Sequence, residues 1–208
     1  MAGLREKQKA DREKRILEAA VTRFRADGYH SVRIEDLAEM AEVSVGTVYN
    51  YYRTKGDILI ATVAMEVEEV LEAGEAIVAD PPAGVDAALL ALIFQYYDHS
   101  LEYLSKEMWR GAMALWIEFP GTPNGQRYSA LDRKLAAQVT ELIETLQRRG
   151  EVRAGLDAAA MGQLVFNNLN MMFIEFVQDE AMTLETLRAE IAAQTRPLAR
   201  MISTEAHP

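Results

Sequence analysis

Along this chain apolar residues return every three or four positions, and no stretch shows the strict apolar/polar alternation of a half-buried strand. From Lys14 to Arg25 the stripe is Ile16, Leu17, Ala20, Val21 and Phe24, and Asp27-Gly28 closes it with the residue that best tolerates a left-handed cap. A second helix, opened by Ser31 or the residue after it, is predicted through Val43, with apolar positions 34, 37, 38 and 41 on one face. About three residues later Ser44 can cap a third, short helix, so the two must cross steeply. Val48 and Tyr52, four apart, point inward on that short helix and leave Val45, Thr47, Tyr49 and Asn50 facing out.

The remainder reads as helix after helix. Thr54 can cap one from Lys55 to about Ala79, stopped by Asp80-Pro81-Pro82. Asp86 to Leu104 carries Leu90, Ile93, Phe94, Tyr97, Leu101 and Leu104 on one face and Leu89, Leu92 and Tyr96 elsewhere, the mark of a helix buried on several sides. Met108 to Phe119 places Trp109, Met113 and Trp116 at spacings of four and three, and residues 120–125, with two prolines and two glycines, form a loop. Gln126 to Arg149 repeats Leu131, Leu135, Val139, Leu142, Ile143 and Leu146 before Gly150. Asp157 caps a helix through Val177, and Thr183 caps a last one to about Ile202 with Pro197 inside it. The expectation is an all-α protein of about nine helices. Residues 1–56 form a three-helix domain with a basic N-terminal arm, and residues 57–208 form a helical body.

Composition narrows the function classes. Half the residues are hydrophobic, enough to bury a substantial core. Without cysteine, disulfide frameworks, thiolate metal sites and a cysteine nucleophile are excluded, and a reducing cytoplasm is the expected setting. The longest apolar run, Ala87 to Phe94, is far short of the ~20 residues a membrane span needs, and the charged N-terminus is unlike a signal peptide. Net charge is −10, but it is unevenly spread: residues 1–56 carry 11 Lys+Arg against 9 Asp+Glu, and residues 57–208 carry 11 against 23. Local field rather than total charge decides whether a surface meets phosphate, so the N-terminal domain stays compatible with DNA. Arg5, Lys7 and Lys9 within residues 1–10 read as a mobile arm that either lies along phosphates or is simply solvated.

The outward set of the short helix suits nucleic acid: an apolar group for a thymine methyl, a hydroxyl, a phenol that reaches phosphate, and an amide. Gly28-Tyr29, Leu37-Ala38, Ala41, Val43-Ser44, Gly46-Thr47-Val48-Tyr49, Tyr51-Tyr52, Lys55 through Asp57, and Leu59 together resemble the N-terminal domain of the TetR family of transcriptional regulators. The resemblance covers roughly residues 12–60 and agrees with the helix-turn-helix spacing. It implies a homodimer joined through the last two helices, reading a palindromic double-stranded operator, with a small-molecule effector in the body that releases a repressor. No membrane partner, cofactor, metal or catalytic residue is expected. It also implies DNA contacts by Ser44, Val45, Gly46, Thr47, Tyr49, Asn50 and Lys55. The chain departs from the family's hydroxyl residues at Val32 and Arg33, where Arg33 could replace the phosphate contact. It also departs at Glu42, where glycine is common and a positive φ would cost about 1 kcal/mol.

No effector motif stands out. Asn168 lies inside an apolar stripe, four residues from Leu164 and from Met172, and a buried amide demands a partner, be it a ligand, another helix or a second subunit. Tyr97 is similarly embedded, whereas His99 falls on the other side of its helix and is expected to be exposed. With Phe94, Trp109, Met113, Trp116 and Met172, these residues form either an apolar or aromatic effector pocket or plain core. Leu164, Val165, Leu169, Met172, Phe173 and Phe176, then Leu184, Leu187, Ile191 and Leu198, are the expected dimer face. His30, His99 and His207 form no closely spaced metal set, and no phosphate-binding glycine loop or nucleophile elbow occurs, so an enzyme is not expected. The competing reading is a helical protein-interaction module that no longer binds DNA.

Overall fold

The computed structural model describes residues 2–204 and, for residues 2, 4 and 5, the backbone alone; His207 and the side chain of Arg5 lie outside the described residues. Nine helices occur among the described residues: α1 (Ala2–Asp27), α2 (Ile34–Met40), α3 (Val45–Tyr51), α4 (Lys55–Ala79), α5 (Val85–His99), α6 (Lys106–Glu118), α7 (Pro123–Arg148), α8 (Ala158–Gln178) and α9 (Leu184–Ile202). No strand forms among them; one isolated antiparallel bridge joins Val152 and Ser203.

The helix starts follow from local chemistry. Ser105, Asp157 and Thr183 each accept a hydrogen bond from the backbone N–H three residues on, satisfying donors that the first turn leaves open. At α4 the exchange is reciprocal: Thr54 N–H donates to Asp57 Oδ2 at 2.8 Å, and Asp57 N–H donates to Thr54 Oγ1 at 3.1 Å. Several boundaries differ from expectation. Helix α2 begins behind Arg33 rather than at Ser31 or the residue after it, and it ends at Met40 rather than Val43. The arm read as mobile continues α1 to Ala2. The helix expected through Leu104 ends at His99, and Ser105 starts α6 two residues before Met108. Within the expected 120–125 loop, Pro123 takes the first helical position of α7, where its missing N–H costs nothing.

The residues cluster into two compact units, one made of residues 1–65 and 103–129, the other of 66–102 and 130–208. In the first, Ile16, Ala20 and Phe24 of α1, Leu37 of α2, Val48 of α3 and Ile58 and Leu59 of α4 are buried. α2 packs on both α1 and α3. In the second, α9 packs against α5 and α8, and Leu89, Leu92 and Ile93 meet a core that includes Ile143, Phe176, Leu187 and Ile191. Burying each such side chain contributes roughly 1.5–3 kcal/mol, which is why the apolar periodicity determines the fold.

The expected dimer face needs correction. Val165, Leu169, Met172, Phe173, Phe176, Leu187 and Ile191 are buried inside the second unit. The large apolar side chains that α8 and α9 leave exposed are Leu164, Met171 and Met201. The periodicity located an inner stripe, and the outward one is narrower.

Candidate nucleic-acid interface

The turn between α2 and α3 is built from backbone bonds. Glu42 adopts φ +53°, the left-handed conformation, which lets its N–H reach Glu39 O at 3.1 Å and the Val43 N–H reach Ala38 O at 2.9 Å. Those two bonds close the end of α2 in the pattern usually completed by glycine. Glu42 therefore tolerates a strained φ, and the departure at this position changes a residue without changing the turn. Val32, another of the departures, is buried in the core of the unit.

Ser44 accepts from Thr47 N–H at 3.0 Å, and the two hydroxyl oxygens lie 2.8 Å apart, so Thr47 shares in capping its own helix. Val48 and Tyr52 point inward. Gly46, Tyr49 and Asn50 are exposed, with Val45 and Thr47 half-buried beside them. Gly46 is informative because the fold does not demand it. A Cβ added there would meet nothing nearer than Ser44 Oγ at 3.8 Å, and its φ is ordinary. A helix position with room for a side chain but none present leaves the backbone open to a closely approaching partner.

Arg33 is exposed at the start of α2, where its N–H donates to Asp36 Oδ2 at 2.8 Å and its Nε lies 3.3 Å from Glu35. Lys55 has different surroundings. Its ammonium donates to His30 O at 2.9 Å and Val32 O at 3.0 Å and sits 4.8 Å from the centre of the Tyr29 ring. Burial holds its pKa below the ordinary lysine value, against the opposing pull of Glu107. Two of its three N–H groups thus tie the segment before α2 to the start of α4, leaving one for any phosphate.

Residues 16–62, which span this whole arrangement, match the model of the tetR family of bacterial regulatory proteins. That segment is a TetR-family domain. The chain is 25% identical over 179 residues to the fatty acid metabolism regulator protein of Bacillus subtilis, covering 84% of this chain and 88% of that protein. It is 30% identical over 92 residues to the repressor KstR of Rhodococcus jostii, covering 44% of this chain and 42% of the relative. Among solved structures, a TetR-family regulator from Pectobacterium atrosepticum superposes with a TM-score of 0.76 at 21% identity, covering 96% of this chain and 98% of that one. FadR of Bacillus subtilis, solved with stearoyl-CoA, gives 0.67 at 20% identity over 88% of this chain and 96% of that one. That domain, together with the regulators to which the chain is similar, marks the protein as a transcriptional regulator rather than an enzyme. No helix among the described residues is long and apolar enough to cross a membrane.

The side chains considered for an effector fall in both units of the chain. Trp109, Met113 and Trp116 lie on α6 in the first, where Trp116 stacks on Tyr128 and donates to Ser129 Oγ at 2.9 Å. Phe94, Tyr97, Asn168 and Met172 lie in the second. Tyr97 is buried, donates to Leu169 O at 2.7 Å and stacks on Phe173, while Phe94 lies under the guanidinium of Arg188 at 4.4 Å. Asn168 is half-exposed on the α8 surface rather than buried in a stripe, because the helix turns its Leu164 and Met171 side outward. Sequence reasoning missed the most unusual polar group of the second unit. Glu66 is 1% exposed and its Oε1 lies 2.8 Å from Nδ1 of His99, which is half-buried rather than exposed. Burial pushes the Glu66 carboxyl up to about 7, against the lowering effect of His99. Glu66 is one of three glutamates in Met65–Val70, so the sequence carries little to single it out beyond its place between Val63 and Val70 at helical spacing.

Proposed function

We propose that this regulator binds a palindromic operator as a homodimer in the cytoplasm and that a small molecule bound in its helical body lowers operator affinity. The observation that carries the reading is the exposed face of α3, with Gly46 unoccupied by a side chain and Tyr49 and Asn50 standing free on a capped helix. In this reading residues 1–56 form the DNA-binding domain and 57–208 the effector-binding and dimerisation domain. Val45, Thr47 and Asn50 address bases. Ser44, Gly46 and Tyr49, together with Arg33, address phosphates, and Lys55 stands behind them as a strut. Two copies related by a two-fold axis would place half-site centres about one helical turn, roughly 34–36 Å, apart or wider.

Leu164 and Met171 of α8 and Met201 of α9, exposed on helices that pack together, support dimerisation through the last two helices. The effector is apolar or aromatic, and the kinship with a fatty acid metabolism regulator makes a long acyl chain the first class to try. A ligand can act this way only if it prefers the conformer that does not bind DNA. Selection from a randomised duplex library at low and near-physiological salt tests the reading. A palindrome in the bound pool is the expected result, followed by its release on adding stearoyl-CoA or another acyl thioester. Failure to enrich any sequence at either salt, with and without candidate ligands, would overturn it.

A further inference from the structure

We infer that the first turns of α1 are a second DNA-contacting element, carrying Lys9 and Arg12 to phosphate, and that Tyr51 is the residue positioning them against α3; this rests on the DNA-binding reading above. The buried stripe of α1 runs through Phe24, Ala20 and Ile16 at intervals of four. Continued upstream, the same line passes through Arg12 and Lys9, four and seven residues before Ile16. The side of the helix that faces the core therefore turns basic where it outruns the core, extending about 10 Å beyond Ile16 at 1.5 Å per residue.

Two tyrosines of the α3 segment hold this overhang. Tyr51 Oη donates to Lys9 O at 3.0 Å, and Tyr52 Oη donates to Glu13 Oε1 at 3.3 Å. Tyr51 is thus committed to α1 and is not part of the outward reading face. The other cations of α1 with described side chains divide by face and by pairing: exposed Lys7, nine residues before Ile16, lies on the opposite side of the helix, and Arg25 lies in its last turn. Lys14 lies 3.8 Å from Glu18, Arg15 lies 3.5 Å from Asp11 and donates to Ala41 O, and Arg23 lies 3.2 Å from Asp27. Lys9 and Arg12 are exposed and have no carboxylate partner among the described residues. Unpaired cations at the end of a helix strapped to the reading helix are a preset footprint for a polyanion. Because the contact is to phosphate, it adds affinity for any sequence and leaves sequence preference to α3.

The test measures binding of the full-length protein to its selected operator and to an unrelated duplex over a range of salt. Lys9→Gln and Arg12→Gln should each reduce the slope of log affinity against log salt by about 0.9 on both duplexes. Lys14→Gln, already paired, should leave it unchanged. Tyr51→Phe should weaken both duplexes roughly 3- to 10-fold, the scale of one hydrogen bond, with the operator-to-unrelated ratio preserved. Wild-type slopes in both glutamine variants would overturn the footprint. A changed ratio in Tyr51→Phe would show that Tyr51 reads sequence, and unchanged affinity would show that it positions nothing; either overturns its assignment. Normal operator binding with unaltered slopes defeats this inference alone, whereas no binding to any duplex defeats it together with the reading beneath it.

Discussion

Replacing Gly46 with alanine separates what the fold needs from what the partner needs. In the second turn-forming position of α3 the new Cβ lies 3.8 Å from Ser44 Oγ, an ordinary contact, and meets no other heavy atom within 4 Å outside its immediate neighbours. The backbone φ is not positive, so no strain is added. Alanine is favoured over glycine in a helix interior by about 1 kcal/mol, and so near the end of a seven-residue helix about half of that is expected. Gly46→Ala should therefore stabilise the protein by about 0.5 kcal/mol, or about 1–2 °C in Tm for a chain of this size. On DNA the same methyl occupies the space through which the backbone would approach phosphate, and operator affinity should fall at least about tenfold, or about 1.4 kcal/mol. Urea unfolding followed by circular dichroism gives the first quantity, and fluorescence anisotropy with labelled operator gives the second. Unchanged operator affinity would refute the close approach, and a destabilised variant would refute the backbone account of this turn.

Two further outcomes follow from packing in the second unit. At Gly162 of α8 a Cβ would collide with Thr140 Oγ1 and lie 2.7 Å from Thr140 Cα, so Gly162→Ala must push α8 from α7 and should cost about 1–3 kcal/mol in urea unfolding. Stability equal to wild type would mean that the helices are not so closely packed. Glu66, raised from 4.5 to about 7 by burial, retains a proton in the folded state that the unfolded chain has released. Its contribution therefore favours folding at low pH and is lost as pH rises from about 4.5 to about 7. Relative to Glu66→Gln, the wild type should lose stability across that window and no further above it; a difference independent of pH between 5 and 7.5 would refute the shift.

Helix identity was readable because burial and the 3.6-residue period act together, as at Ile16, Ala20 and Phe24 or at Leu142, Ile143 and Leu146, all fully buried. Caps at Ser44, Thr54, Asp157 and Thr183 were readable for the same local reason, since a side-chain oxygen at that spacing meets a donor the helix cannot satisfy. The positive φ at Glu42 was legible only through the resemblance, as a condition on a position where glycine is common. What escaped depends on contacts far apart in sequence. Nothing local says that Lys9 O will meet Tyr51, 42 residues on, so the first ten residues read as a loose arm. Likewise, one polar residue in an apolar stripe gives no sign of which side is inward. Asn168, at stripe spacing with Leu164 and Met172, lies at the surface, while Glu66, among neighbouring glutamates, lies inside.

Lys55 shows how a residue type suited to phosphate can be claimed by the protein itself. The carbonyls of His30 and Val32 terminate the segment between α1 and α2, where no helix ladder supplies them with donors, and the ammonium answers both. Lys55→Met keeps the stem over the Tyr29 ring but leaves those two oxygens without their donor, and a partly buried acceptor without a partner costs about 1–3 kcal/mol. The variant should lose stability by that amount in urea unfolding while keeping the wild-type salt slope for operator binding at temperatures where it is folded. A phosphate ligand would behave oppositely, reducing the slope by about 0.9 with little effect on unfolding. The two measurements on one variant therefore decide whether the charge at the start of α4 serves the duplex or fixes the helix-turn-helix that reads it. Retained stability with a reduced slope would refute the strut and restore Lys55 to the DNA face.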